Sequence, residues 1–140
     1  MEYERLAVEI LGCMKKSEHT QAFKAFDVEM SGEAFILYYI EHTDGTVTPS
    51  QIGAAMNVTS ARIAAALNAL ESKGLITREI DKTDRRKILV VLTTKGSTAA
   101  NERKRLFLQK AADILRLLGE EDANHFVRII KKLTAIPQLF

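Results

Sequence analysis

Residues 48–96 read TPSQIGAAMNVTSARIAAALNALESKGLITREIDKTDRRKILVVLTTKG, and the punctuation of this stretch decides the fold. Thr48 can cap a helix, Pro49 suits its first position, and Gln51 completes a capping box. Asn57 and Val58 interrupt that helix, and Thr59 offers a second cap ahead of Ser60-Ala61-Arg62. Ile63, Ala66, Leu67, Ala69 and Leu70 then recur at helical spacing, which commits one face to packing. Gly74 stands where a left-handed helix stop is expected. Ile76–Ile80 and Lys87–Thr93 are β-branched and apolar enough to be strands, joined by the polar tip Asp81-Lys82-Thr83-Asp84-Arg85-Arg86. Short helix, turn, longer helix and a basic β-hairpin together make a design for reading DNA.

Upstream, residues 2–26 read as a helix with Leu6, Ile10, Cys13 and Ser17 on one stripe and Ala7, Leu11 and Met14 beside it. Phe23 and Phe26 extend that surface. Asp27 to Ser31 reads as a break, with Ser31 as a cap and Glu33 in the next first turn. Residues 32–42 (GEAFILYYIEH) form a helix apolar on most sides, which places it centrally. Residues 43–46 turn, and Val47 is expected to pair briefly with the wing. Downstream, a long helix is expected from Thr94 to about Leu118, ended by Gly119. A last helix over 120–134 carries Phe126, Ile130 and Leu133 on one side, followed by the apolar tail residues Ile136, Leu139 and Phe140. The terminal segments carry more apolar surface than a chain of 140 residues can hide, so a symmetric homodimer is expected to bury it.

The bulk numbers agree with one mainly α (α+β) domain over residues 1–140, with residues 1–44 and 97–140 as dimerisation and supporting helices and residues 45–96 as the DNA-binding unit. Net charge is only +2, but it is unevenly divided. Residues 1–44 hold 4 Lys/Arg against 9 Asp/Glu, whereas residues 45–96 hold 8 against 4. Basic charge concentrated on the candidate reading unit is the footprint of a nucleic-acid face. Apolar runs fall short of a membrane span and no leader pattern opens the chain, so a cytoplasmic protein without a membrane partner is expected. The one cysteine, Cys13, fits a reducing compartment. His19, His42 and His125 are too scattered for metal spacing, and His42 suits a helix C-terminus. Phosphate loops, nucleophile elbows and paired carboxylates are missing, which argues against an enzyme and against a cofactor.

Leu70-Glu71-Ser72-Lys73-Gly74-Leu75-Ile76, then Asp84-Arg85-Arg86, then Leu92-Thr93-Thr94-Lys95-Gly96, in this order and spacing, resemble the multiple-antibiotic-resistance regulator (MarR) family. Gly119-Glu120-Glu121-Asp122 opening the last helix adds to the resemblance. It implies a winged helix-turn-helix with interlocking terminal helices, and a transcription regulator, acting as a repressor, that binds a pseudo-palindromic operator in double-stranded DNA. Candidate contacts in the helix-turn-helix are Ser50, Thr59, Ser60, Ala61, Arg62, Ala65 and Asn68. In the tip they are Lys82, Arg85 and Arg86, with the matching family arginine entering the minor groove and Asp84 expected to orient the pair. Arg62 can reach guanine O6/N7 and the alanine methyls can meet thymine methyls, but few hydrogen-bonding groups remain on the helix. Base-edge readout should therefore be sparse. The family's habit of binding small, often aromatic ligands implies an aromatic or apolar ligand near Phe35, Tyr38 and Tyr39, which by default are core. Some members sense hydroperoxides through an N-terminal cysteine. Cys13 is followed by Met14-Lys15-Lys16 rather than an aromatic segment, so a buried stripe residue is the expectation and redox sensing the alternative. A rival of another class is a winged-helix module whose alanine-rich helix docks on a protein and reads no DNA.

Overall fold

Two threonine caps frame the central unit of the computed structural model, which describes residues 2–17, 32–44 and 46–137. Thr48 accepts from the Gln51 backbone N–H at 3.3 Å while Gln51 Oε1 accepts from the Thr48 N–H at 2.9 Å, closing the expected capping box. Element order is α1 (Glu2–Ser17), α2 (Gly32–Glu41), β1 (Thr46–Val47), α3 (Pro49–Met56), α4 (Ser60–Ser72), β2 (Ile76–Ile80), β3 (Ile88–Leu92), α5 (Thr94–Leu118) and α6 (Glu120–Thr134). Asn57, left-handed at φ 53°, turns the chain out of α3. Thr59 then caps α4 by accepting from the Arg62 backbone N–H at 3.3 Å. Asparagine tolerates the left-handed conformation better than most residues, and threonine's hydroxyl bonds to the local backbone.

The sheet is antiparallel in the order β1-β3-β2. Val47 pairs with Val90, and Arg78 of β2 also faces Val90 in register. The core gathers Ile36, Leu37 and Ile40 of α2, Val47, Ile52 of α3, Ile63, Leu67 and Leu70 of α4, Leu75, Ile76, Val90 and Ala100. Burial of each large aliphatic side chain contributes about 1.5–3 kcal/mol. The helix that reads apolar on most sides is thus the centre of the fold, against which α4, β3 and α5 pack.

Two of the motifs quoted above meet in space. Gly74 sits at φ 72° and lets the Leu75 N–H return to the Leu70 carbonyl at 3.0 Å, a left-handed helix stop. Thr93 then clasps this turn. Its N–H donates to the Leu75 carbonyl at 3.1 Å, its hydroxyl donates to the Gly74 carbonyl at 2.6 Å, and the same oxygen accepts from the Gly96 N–H at 3.0 Å, capping α5. Lys95 Nζ adds a bond to the Lys73 carbonyl at 2.9 Å. The cap of α5 is therefore Thr93, one residue past the end of β3, where the sequence had suggested a continuing strand.

The terminal helices differ in how they are used. α1 is formed, but Leu6, Val8, Ile10 and Leu11 are all exposed, so the apolar stripe is left uncovered among the described residues. Cys13 is exposed as well, which corrects the expectation that its stripe would bury it. The stripe reveals that a face needs covering and says nothing of which chain covers it. α6 leaves Phe126, Val127, Ile129, Ile130 and Leu133 exposed in the same way. Residues 18–31 and 138–140, which include Phe23, Phe26, the Ser31 cap, Leu139 and Phe140, lie outside the described residues. Among the described residues no helix is long and apolar enough to cross a membrane.

Candidate nucleic-acid interface

Helix α4 buries Ile63, Leu67 and Leu70, and this fixes what it shows. Ala61, Ala65 and Asn68 are exposed on the opposite side, spaced i, i+4 and i+7 as one stripe of a helix. Ser60 and Ala64 lie to one flank of that stripe. Arg62, also exposed, lies on the other flank, about 100° round the axis from Ala61. Between α3 and α4 runs an open groove of about 440 Å³ whose walls include Ser50, Asn57, Ser60, Ala64 and Arg78. The hydroxyl of Thr59 is engaged by its own helix, so as a capping group it can meet DNA only in addition to that bond.

The wing tip is ordered from within. Asp81 Oδ1 accepts from the Thr83 N–H at 2.9 Å and the Thr83 hydroxyl at 2.8 Å. Asp84 accepts from the Arg86 N–H at 3.1 Å and, through its two oxygens, from Arg86 Nε at 3.1 Å and Nη2 at 3.4 Å. The Lys87 N–H closes the tip on the Asp84 carbonyl at 2.9 Å. These donors hold both carboxyls below the usual aspartate range: Asp81 chiefly through the Thr83 backbone N–H, Asp84 chiefly through the Arg86 side chain. Asp84 therefore orients Arg86 alone and not, as its position before the pair had suggested, both arginines. The guanidinium of Arg86 nevertheless remains largely in solvent, at 91% side-chain exposure.

With its two carboxylates used internally, the tip presents cations outward. The side chains of Arg62, Lys82 and Arg85 are exposed and make no hydrogen bond or ion pair among the described residues. Lys82 and Arg85 border a shallow recess of about 290 Å³ with Ile80 and Asp81. Behind the tip, Ile80 and Ile88 face each other in register and are both exposed.

One residue at this surface was not singled out by sequence. Arg78 of β2 donates through Nη2 to Asn68 Oδ1 of α4 and lies 3.6 Å through Nε from Glu71. It is the side-chain link between the candidate reading helix and the wing. Only the basic residue type in the first wing strand signalled it, because its partners are set by tertiary packing.

Of the expected ligand-site aromatics, Phe35 and Tyr38 line an apolar cavity of about 120 Å³ with Ala34, Ala100, Arg103, Lys104 and Phe107. Tyr39 does not line it. It stacks on Phe35, ring centroids 6.0 Å apart, and packs against the core. His42 follows the last residue of α2 and its Nδ1–H donates to the Tyr38 carbonyl at 2.9 Å, the helix-end role expected for it. Among the described residues no group of His, Cys, Asp and Glu is placed to hold a metal.

The sequence profile of the MarR family matches residues 26–87. A transcriptional repressor of Bacillus subtilis, YetL, is 24% identical over 98 residues, 70% of this chain and 59% of its own length. The chain spans less than two thirds of the length of the curated relatives it matches, 59% and 52%. Among solved structures, FabT of Streptococcus pneumoniae in complex with DNA superposes with a TM-score of 0.69 at 24% identity, covering 94% of each chain. CouR, a transcriptional repressor bound to a 23-mer DNA duplex, superposes with a TM-score of 0.71 at 22% identity, covering 91% of this chain and 94% of its own. These likenesses are to the fold.

Proposed function

We propose that this chain, whose residues 26–87 match the MarR family, is a winged helix-turn-helix transcription regulator that binds double-stranded DNA as a homodimer and represses transcription from a pseudo-palindromic operator. Residues 45–96 form the DNA-binding unit, and residues 1–44 and 97–140 supply the dimerising frame. Two α4 helices enter successive major grooves, roughly 10 bp apart centre to centre. Two wing tips lie in the flanking minor grooves, where narrow A·T-rich segments attract cations. The observation that carries this reading is the tip itself: its carboxylates are consumed by Thr83 and Arg86, while Lys82 and Arg85 have no partner among the described residues. Outward cations on a wing beside a helix-turn-helix suit a polyanionic duplex.

On α4 the stripe is mostly alanine, so the methyl groups of Ala61 and Ala65 meet thymine methyls and affinity comes largely from phosphates. The cavity beside Phe35 and Tyr38 supports release by a small ligand. Its apolar walls suit an aromatic ring, and Arg103 and Lys104 on its border suit an anionic substituent. At about 120 Å³ it is smaller than the usual ligand pocket of ~300–1,000 Å³, so binding requires Tyr38 or Phe107 to move.

Replacing Arg85 by alanine tests the wing. It should weaken binding to all duplexes and flatten the dependence of log affinity on log salt by about one unit per lost contact, hence about two per dimer. Arg62→Ala should instead cost about 1–3 kcal/mol on the preferred site and relax base preference at one position per half-site. Titrations over several salts and sequences separate the two. An equal loss on every sequence for Arg62→Ala would make α4 a phosphate clamp, and no effect of either change would favour the protein-docking alternative.

A further inference from the structure

We infer that Arg78 sets the base preference of Asn68: by holding the Asn68 carboxamide oxygen, it turns the amide nitrogen outward and tunes α4 to base edges that offer acceptors. This deepens the DNA-binding reading proposed above and rests on it. Asparagine in a major groove ordinarily reads adenine with both ends, its oxygen accepting from N6 and its nitrogen donating to N7. That use needs an oxygen open to a second donor. Here the atom facing Arg78 must be the oxygen, since a guanidinium has donors only and an amide NH2 would meet it donor to donor. Nη2 of Arg78 donates to Oδ1 of Asn68 at 2.5 Å, so a cation takes one of the oxygen's two acceptor directions and its charge and bulk disfavour a second donor such as adenine N6 at the other.

The clamp is held from behind. Glu71, one turn further along α4, lies 3.6 Å from Arg78 Nε. Arg78 itself stands on β2 opposite Val90, which is fully buried in the sheet, so the strand that presents the guanidinium is anchored. Its side chain keeps only 30% exposure, whereas Asn68 is exposed on the stripe shared with Ala61 and Ala65. Those neighbours have no hydrogen-bonding side chain, which leaves Asn68 as the stripe's polar contact between the two alanines and the helix end. Two outward N–H groups match guanine, with acceptors at O6 and N7, or thymine O4; they match adenine only at N7. Arg78 is a positioning residue in this account. It works through Asn68 and links the wing to the reading helix, so the preference depends on both.

The test is selection of bound sequences from a random duplex pool with the full-length parent, Arg78→Met, Arg78→Lys and Asn68→Ala, each first checked for folding by its thermal melt. The parent should prefer guanine or thymine over adenine at one position per half-site by roughly five- to tenfold, the lower end of what base-edge contacts supply. Arg78→Met should erase or invert that preference at that position only, toward adenine, because the freed oxygen can accept from N6. Arg78→Lys, with one flexible donor, should restore it in part. Asn68→Ala should flatten the same position, and adding Arg78→Met to it should change the profile no further. A role in phosphate contact or in folding alone would lower affinity on every sequence and leave the profile intact, which would overturn the inference. A parent that binds no duplex at any salt would sink the function reading itself, whereas a parent that binds with a profile indifferent to Arg78 sinks this inference alone.

Discussion

Gly96→Ala should destabilise the fold by about 3 kcal/mol or more, near or beyond the upper end of ordinary overpacking costs. A Cβ built on Gly96 would stand 1.9 Å from the Leu75 carbonyl oxygen, 2.9 Å from its carbon and 3.1 Å from Leu92 Cδ2. The first two are backbone atoms of the turn that Thr93 clasps, so nothing there can swing aside. Relief requires α5 to move off the turn, which breaks the bonds from Thr93 to Gly74 and Leu75 and from Lys95 to Lys73. Against a total stability of about 5–15 kcal/mol, such a loss lowers the melting midpoint by roughly 10 °C or leaves little folded protein. Gly53→Ala is the control. It is also a helical glycine, yet its Cβ would meet Ile63 Cγ1 at 3.4 Å, an ordinary contact. Removing a helix-interior glycine there should be neutral or stabilise by up to ~1 kcal/mol. Thermal melts of both proteins decide, and a Gly96→Ala melt within a degree or two of the parent would refute the close approach.

The second large effect concerns the uncovered helices. Phe126, Ile130 and Leu133 are 47%, 43% and 55% exposed on α6, at spacing that puts them on one side. With Leu6, Ile10 and Leu11 of α1 also bare, the chain carries apolar surface of the kind that obligate dimers bury over ~2,000 Å² or more. In the proposed dimer, glutamates at 126 and 130 would be buried without partners, at a cost of several kcal/mol. Phe126→Glu with Ile130→Glu should therefore weaken association at least a hundredfold. Light scattering at micromolar concentration should give the parent about twice the 15.6 kDa of one chain, and the double variant either one chain's mass or an aggregate. A parent at 15.6 kDa, or a variant that keeps the parent's mass and melt, would contradict the dimer.

How much of this was legible in the sequence follows from the range of the forces involved. Thr48, Pro49, Gln51 and Thr59 act on the next three residues, so the starts of α3 and α4 could be read directly. Gly74 and Gly119 mark helix ends for the same local reason, and the bounds Thr94–Leu118 and Glu120–Thr134 came out as expected. The Thr93 cap did not, because in Thr93-Thr94 either residue could cap, and the choice is made by the Leu75 and Gly74 carbonyls about 20 residues away in the chain. The site divides similarly. Exposure of Arg62, Lys82, Arg85 and Arg86 follows from a polar tip and a patterned helix. The grip of Arg78 on Asn68 depends on how β2 crosses α4, and the absence of Tyr39 from the Phe35–Tyr38 cavity depends on its packing against the core. Periodicity counts apolar positions and cannot assign them to neighbours. The exposure of Cys13 has that origin too.

The measurement closest to the central claim is the affinity of the full-length protein for duplexes drawn from a random pool, titrated across salt. With Lys82 and Arg85 exposed and unpaired among the described residues on each of two proposed protomers, log affinity should fall with log salt at a slope of about −3.5 or steeper, at ~0.9 per phosphate contact. The selected sites should be two-fold symmetric, with half-sites about 10 bp apart. Binding that is absent at low salt, or that is present but indifferent to salt and sequence symmetry, would contradict the account.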